Sequence, residues 1–337
     1  MRNCVFGVLL AAAAACSTPS GGSVPPGEAA KKYSYYRVGP VNDVSTSTTA
    51  GTVLMGGGTD VDEAFQWMCG KAGNGDFLVL RTTGTDAYNP YILALCPGVN
   101  SVATLIAPTA AAANDPFVVN AIKSAEAIFI AGGDQSTYIT NWKGTLLQTE
   151  LNAAIARGVP VGGTSAGLMV LTQFIYSALL SQGVTSSEAL ADPFTQYITL
   201  DRDFVAIGSL ADTIGDAHFV TRDRMGRELA FMCRVAANGW TGAPRGIAVD
   251  EQTALLIDAS GDAAVAGFGT AYFLQAPGPA EVCQPKMPLT YGGIAVYRIP
   301  AGGTFDLGRW TGRGGTSYSV SATAGVLSST QSSGSVY

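Results

Sequence analysis

Short apolar runs, each closed by glycine or a polar residue and followed by a stretch with helical spacing, recur between residues 52 and 171. Residues 52–55 read as a strand stopped by Gly56-Gly57-Gly58, and residues 60–69 follow with apolar positions at helical spacing. The same alternation predicts strands over 77–80, 102–107 and 127–131 and helices over 88–95 and 115–124. Residues 151–157 make a further helix ended by Gly158, after which a short apolar strand leads to Ser165 and an apolar run continues through Leu171. Strands that are apolar throughout belong to a parallel sheet covered on both faces. The predicted fold class is α/β, a three-layer α/β/α sandwich with a mostly parallel central sheet. Beyond residue 245 the pattern changes to short β-like runs at 246–249, 253–257, 263–267, 271–274 and 293–297. These predict antiparallel strands added to the edge of that sheet. No internal repeat is present.

The strand that ends at Ser165 carries the first candidate chemistry. In Gly163-Thr164-Ser165-Ala166-Gly167 the glycines allow a sharp strand-to-helix turn that lifts a serine hydroxyl clear of the sheet. The amides that open the next helix would favour an oxyanion formed when Ser165 attacks a carbonyl. With 42 glycines in the chain, Gly-x-Ser-x-Gly also arises as an ordinary β-to-α turn, so the flanking strand and helix are what raise the motif above chance. In parallel sheets the working groups gather beyond the carboxyl ends of the strands. The run 127–131 ends at Gly132-Gly133-Asp134-Gln135, so the amides of Gly133 or Asp134 are candidates for a second oxyanion donor beside Ala166. The plain alternative for Asp134 is a helix cap.

An activated serine needs a base, and the chain has one histidine, His218. It lies in Asp216-Ala217-His218-Phe219 with Arg222, Arg224 and Arg227 following, ahead of an amphipathic helix whose apolar face is Met225, Leu229, Met232 and Ala236. A lone histidine is usually structural, but this one is crowded by charge. The acid that orients it is to be found among Asp216, Asp250 and Glu251; the last two are adjacent at a strand end and point to opposite faces, unless they simply form a hairpin turn. A single histidine rules out zinc sites built from two or three imidazoles, and neither metal nor cofactor is expected.

Composition narrows the class. Of the 337 residues 47% are apolar and 13% charged, which is globular rather than disordered, and the net charge of −6 argues against a nucleic-acid partner and suits cationic substrates. Residues 1–15 have the layout of an export signal, a charged start and an apolar segment too short to span a bilayer. Ala13-Ala14-Ala15-Cys16 resembles a lipobox, which would make Cys16 the lipid anchor and a lipid the chain's one link to a membrane. The expected location is the outer membrane or cell surface, and without a lipid the periplasm or medium. Residues 16–48 read as a flexible tether, 49–312 as the folded domain, and 313–337 as a Ser/Gly-rich tail whose residues 318–320 and 326–327 could pair on a sheet edge. Export makes Cys69, Cys96, Cys233 and Cys283 disulfide candidates; Cys69 with Cys96 and Cys233 with Cys283 keeps each bridge local, and four buried free thiols are the alternative.

Taken together, these motifs resemble the cyanophycinase family of serine peptidases, related to aspartyl dipeptidase and more distantly to class I glutamine amidotransferase domains. The resemblance spans residues 51–307, and its motifs fall in family order. It implies a Ser165, His218, Glu251 triad, with the glutamate rather than Asp250 as the orienting acid. It also implies a substrate pocket using Gln135, Asp216, Arg222, Arg224 and Arg227, and a homodimer, since members are often dimers. Family members hydrolyse cyanophycin, a poly-aspartate backbone with arginine on each side-chain carboxyl, to β-aspartyl-arginine dipeptides. Arginines would clamp substrate carboxylates and Asp216 would accept a guanidinium. The export signal is foreign to enzymes acting on an intracellular granule, and Leu168 replaces the small residue often found after the elbow glycine. The competing expectations are an exported peptidase for short Asp-containing or isoaspartyl peptides, and a surface polymer-binding protein with a degenerate site.

Overall fold

The computed structural model describes residues 32–180 and 182–337. In chain order the first strands are β1 (Ser34–Val38), β2 (Gly51–Met55), β3 (Asp76–Arg81), β4 (Ser101–Ile106), β5 (Ala127–Ile130) and β6 (Val161–Thr164). They are followed by β7 (Phe174–Tyr176), β8 (Leu200–Arg202), β9 (Thr213–Asp216), β10 (Arg245–Val249), β11 (Thr253–Asp258) and β12 (Asp262–Gly267). The last are β13 (Thr270–Gln275), β14 (Tyr291–Pro300), β15 (Thr304–Asp306), β16 (Thr311–Arg313), β17 (Thr316–Thr323) and β18 (Val326–Ser329).

One sheet runs β1-β4-β3-β5-β6-β2-β11-β12-β15-β16, and its centre, β4-β3-β5-β6-β2, is parallel. Alternation across these strands explains the layers. Leu54, Leu78, Leu80, Ile128 and Ile130 share a cluster with Val118, Ile122, Trp142 and Leu151 from the helices on one face. Val53, Met55, Phe77, Val79 and Phe129 share the other cluster with Phe65, Met68 and Ile92 from the helices Asp62–Lys71 and Tyr88–Leu95. Both faces are therefore dry, as the uniformly apolar strands require. Cys69 pairs with Cys96 within this second layer, and Cys233 with Cys283 in the C-terminal half. Among the described residues no helix is long and apolar enough to cross a membrane.

Two differences from the sequence reading have physical causes. The C-terminal strands do not all extend the central sheet: β11, β12, β15 and β16 do, but β18-β17-β14-β13-β10-β9-β7-β8 forms a second sheet. The chain passes from the second sheet to the first in the tight turn Asp250-Glu251-Gln252 between β10 and β11, a step that apolar pattern alone cannot reveal. Within the segment read as a tether, β1 pairs antiparallel with β4. Tyr33 and Tyr35 hold it by packing on Phe117, and Arg37 Nη2 lies 3.0 Å from Asp76 Oδ1. The tail, by contrast, pairs on a sheet edge as its residues 318–320 and 326–327 suggested, in β17 and β18, with Tyr318 and Val320 buried and Tyr337 Oη accepting from Met225 N at 2.9 Å. The export signal and Cys16 lie outside the described residues.

Candidate active site

Strands of both sheets end at one place. β6 of the first sheet delivers Ser165, β9 of the second runs into Asp216-Ala217-His218, and the turn after β10 carries Asp250 and Glu251. Ser165 Oγ lies 2.7 Å from His218 Nε2, and His218 Nδ1 lies 2.5 Å from Glu251 Oε1. With Nδ1–H donated to the carboxylate, Nε2 is free to accept the serine proton. Burial pushes the imidazole below its ordinary value, Arg222 and Arg224 add to this, and the bond to Glu251 opposes it. The ring is therefore neutral at pH 7, the state a general base needs.

The elbow is strained, and the packing around it shows why that strain persists. Ser165 sits at φ 53°, a conformation that costs a non-glycine residue of the order of 1–3 kcal/mol. A side chain at Gly167 would come within 2.0 Å of Ile130 O, so the helix Ala166–Met169 is seated directly against the end of β5. The amide of Ser165 is taken by Met55 O at 2.9 Å, which leaves the Ala166 amide as the elbow's candidate oxyanion donor. Gly132 is also adjacent, since a Cβ built there would lie 3.6 Å from that of Ser165. Asp134 behaves as the cap of the helix Gln135–Trp142, its Oδ1 accepting from Ser136 N at 2.9 Å. Gln135 Nε2 donates to Tyr176 O at 3.4 Å.

Two features of the histidine's support were not read from sequence. His218 N donates to Gly56 O at 2.8 Å, and a side chain at Gly57 would lie 2.4 Å from the imidazole. The glycine run after β2 is thus the cradle of the ring, and its signal was three glycines closing a strand beside the one that bears the elbow. Asp250, weighed as an orienting acid, touches the histidine turn instead. Its Oδ1 accepts from Val220 N, Thr221 N and Thr221 Oγ1, each at 3.0 Å.

The arginine motif divides into an interior and an exterior part. Asp216, expected to meet a substrate guanidinium, is fully buried, and both its oxygens are occupied. Arg227 Nε donates to Oδ2 at 2.6 Å and Nη2 to Oδ1 at 2.5 Å, while Arg224 Nη1 and Ala217 N donate to Oδ1 at 3.1 and 2.8 Å. Burial opposes the charge on Asp216, yet Arg227 and Arg224 hold its carboxyl below the ordinary range. Arg224 Nη1 also donates to Ala217 O at 2.7 Å, so this network braces the residue before His218. Arg227 is buried with its partner, whereas the Arg222 side chain is 54% exposed with Nε 3.9 Å from Glu251 Oε1. Of the five expected substrate contacts, Arg222 is exposed, Gln135 and Arg224 are partly buried, and Asp216 and Arg227 are sealed in the interior.

Behind that pair, Glu228 is fully buried with neither carboxyl oxygen hydrogen-bonded. Burial, reinforced by the charge of Asp216 and opposed by Arg227, pushes its carboxyl well above the ordinary value of 4.5. The folded state keeps this proton where the unfolded chain loses it. The group's contribution is therefore complete below about pH 4.5 and is lost as pH rises toward the folded value, at about 1.4 kcal/mol per pH unit. Glu228→Gln removes the titration while keeping the shape. Urea unfolding of both proteins from pH 4 to 8 should show the variant gaining on wild type as pH rises past about 4.5; a constant difference would mean that folding does not raise the affinity of Glu228 for its proton.

Comparison with known proteins gives a match to the sequence model of peptidase family S51 over residues 98–263, a segment that includes Ser165, His218 and Glu251. No curated protein matches. Among solved structures, a peptidase from an acI-B1 Actinobacterium superposes with a TM-score of 0.49 at 17% identity, covering 77% of this chain and 98% of its own. A candidate peptidase E from Listeria monocytogenes EGD-e gives 0.41 at 13% identity, covering 66% of this chain and 100% of its own.

Proposed function

We propose, taking as premise that the chain belongs to peptidase family S51 and is a serine-type peptidase, that it is an exported exopeptidase releasing β-aspartyl-arginine dipeptides from cyanophycin. The observation that carries the chemistry is the unbroken line Ser165 Oγ, His218, Glu251 Oε1. His218 Nε2 takes the serine proton as Oγ attacks the peptide carbonyl. The amide of Ala166, with Gly133 or Asp134, holds the oxyanion. The imidazolium, steadied by Glu251, then protonates the leaving amine, and water activated by the same ring releases the acyl group. Arg222, with Arg224 behind it, is the cation placed to receive a substrate carboxylate. Export, with Cys16 as a lipid anchor, rests on the sequence of residues 1–16.

The polymer reading is tested by offering purified protein insoluble cyanophycin and, separately, short aspartyl peptides. Soluble β-aspartyl-arginine from the polymer is the expected product. Cleavage of the short peptides with none from the polymer would replace this reading with that of a scavenging dipeptidase.

A further inference from the structure

β11 leaves the triad two residues beyond Glu251 and runs antiparallel to β2, so its last residue, Asp258, pairs with Gly51 at the end of β2 remote from the site. Six residues at about 3.3 Å each put that end roughly 20 Å from the catalytic groups. A cavity of about 880 Å³ opens there between the helix Asp62–Lys71 and the strands β12, β15 and β16. Trp67 lines one side. A side chain at Gly51 would come within 2.5 Å of its indole, so the bare glycine lets the ring lie over the start of β2. Five of the thirteen lining residues are charged, in a chain only 13% charged, and both signs are present: Asp258, Asp262, Asp306, Arg309 and Arg313. Arg309 is spoken for by Asp306, at 2.7 Å; Arg313 has no carboxylate within ion-pair distance among the described residues.

We propose that this groove is a second binding site, remote from the triad, for a peptide chain that carries carboxylate and guanidinium groups side by side. It rests on the polymer reading above. Arg313 offers its guanidinium to a substrate carboxylate, and Asp262 and Asp258 offer carboxylates to substrate guanidiniums, beside a Trp67 ring that already carries Lys71 Nζ 4.6 Å from its centroid. Each such exposed pair is individually weak and screened by salt, so a short peptide gains almost nothing here. A repeating chain gains by occupying several pairs at once and by holding its end near Ser165 at raised local concentration. To reach both places it needs roughly six or more extended residues. The groove therefore distinguishes polymer from oligomer, which the triad alone does not.

The exposed residues Asp262 and Arg313 allow charge reversals that leave the core untouched, namely Asp262→Lys and Arg313→Glu. Each is expected to slow release from insoluble cyanophycin by about tenfold, with turnover of a short β-aspartyl-arginine peptide unchanged. In a Ser165→Ala background each should also lower the fraction that co-sediments with the polymer, and added salt should lower it for the parent. Polymer turnover and co-sedimentation equal to the unreversed protein would overturn the groove and leave the function reading standing. Failure of the wild type on the polymer, with activity on short peptides, would overturn both.

Discussion

Replacing Ser165 by alanine is expected to lower kcat by about 10⁶, leaving only what binding and the oxyanion donors supply. The fold should survive, because the hydroxyl's one described partner is His218 and the elbow is held by contacts of the backbone and of Gly167. The measurement is initial rate on polymer and on short peptide, beside a urea midpoint for each protein. A variant within tenfold of wild type, with folding intact, would remove Ser165 as the nucleophile.

Glu251→Gln comes next, with an expected loss of about 10⁴ in kcat. The amide can present its NH₂ to Nδ1, which turns the imidazole to the tautomer whose Nε2 bears hydrogen and cannot accept from Ser165. Its loss also removes a group that raises the imidazole's affinity for protons, so the rising limb of the kcat profile should move to lower pH. Asp250→Asn is the control. Its side-chain oxygen can still accept from Val220 and Thr221, so kcat should fall by less than about tenfold, the upper end of the roughly 0.5–1.5 kcal/mol that a neutral hydrogen bond contributes. Equal losses in the two variants would mean that the orienting acid has been misassigned.

Much of this was legible in the chain because each feature leaves a local mark. Uniformly apolar strands marked the covered sheet, Gly163 to Gly167 marked the elbow, and a solitary imidazole left little choice of base. The features that were not legible depend on which face a residue takes after long-range packing. Asp216 and Arg227 look, in sequence, as available as Arg222, yet their mutual bidentate contact draws them into the interior and leaves one arginine outside. The adjacent acids Asp250 and Glu251 were correctly expected to diverge, but the backbone groups that Asp250 serves belong to a segment 30 residues earlier. β1 was hidden by composition, since Ser34-Tyr35-Tyr36-Arg37-Val38 is too polar to stand out until Phe117 is beside it.

The passage of the chain between sheets at Asp250-Glu251-Gln252 has a mechanical consequence. Nucleophile and base ride on different slabs of the molecule, and the hinge between those slabs is itself the third member of the relay. Any slip of one slab against the other lengthens the 2.7 Å link from Ser165 to His218 while every strand remains intact. Catalysis should accordingly vanish at a lower denaturant concentration than circular dichroism does, making turnover the more sensitive gauge of whether the two slabs are seated.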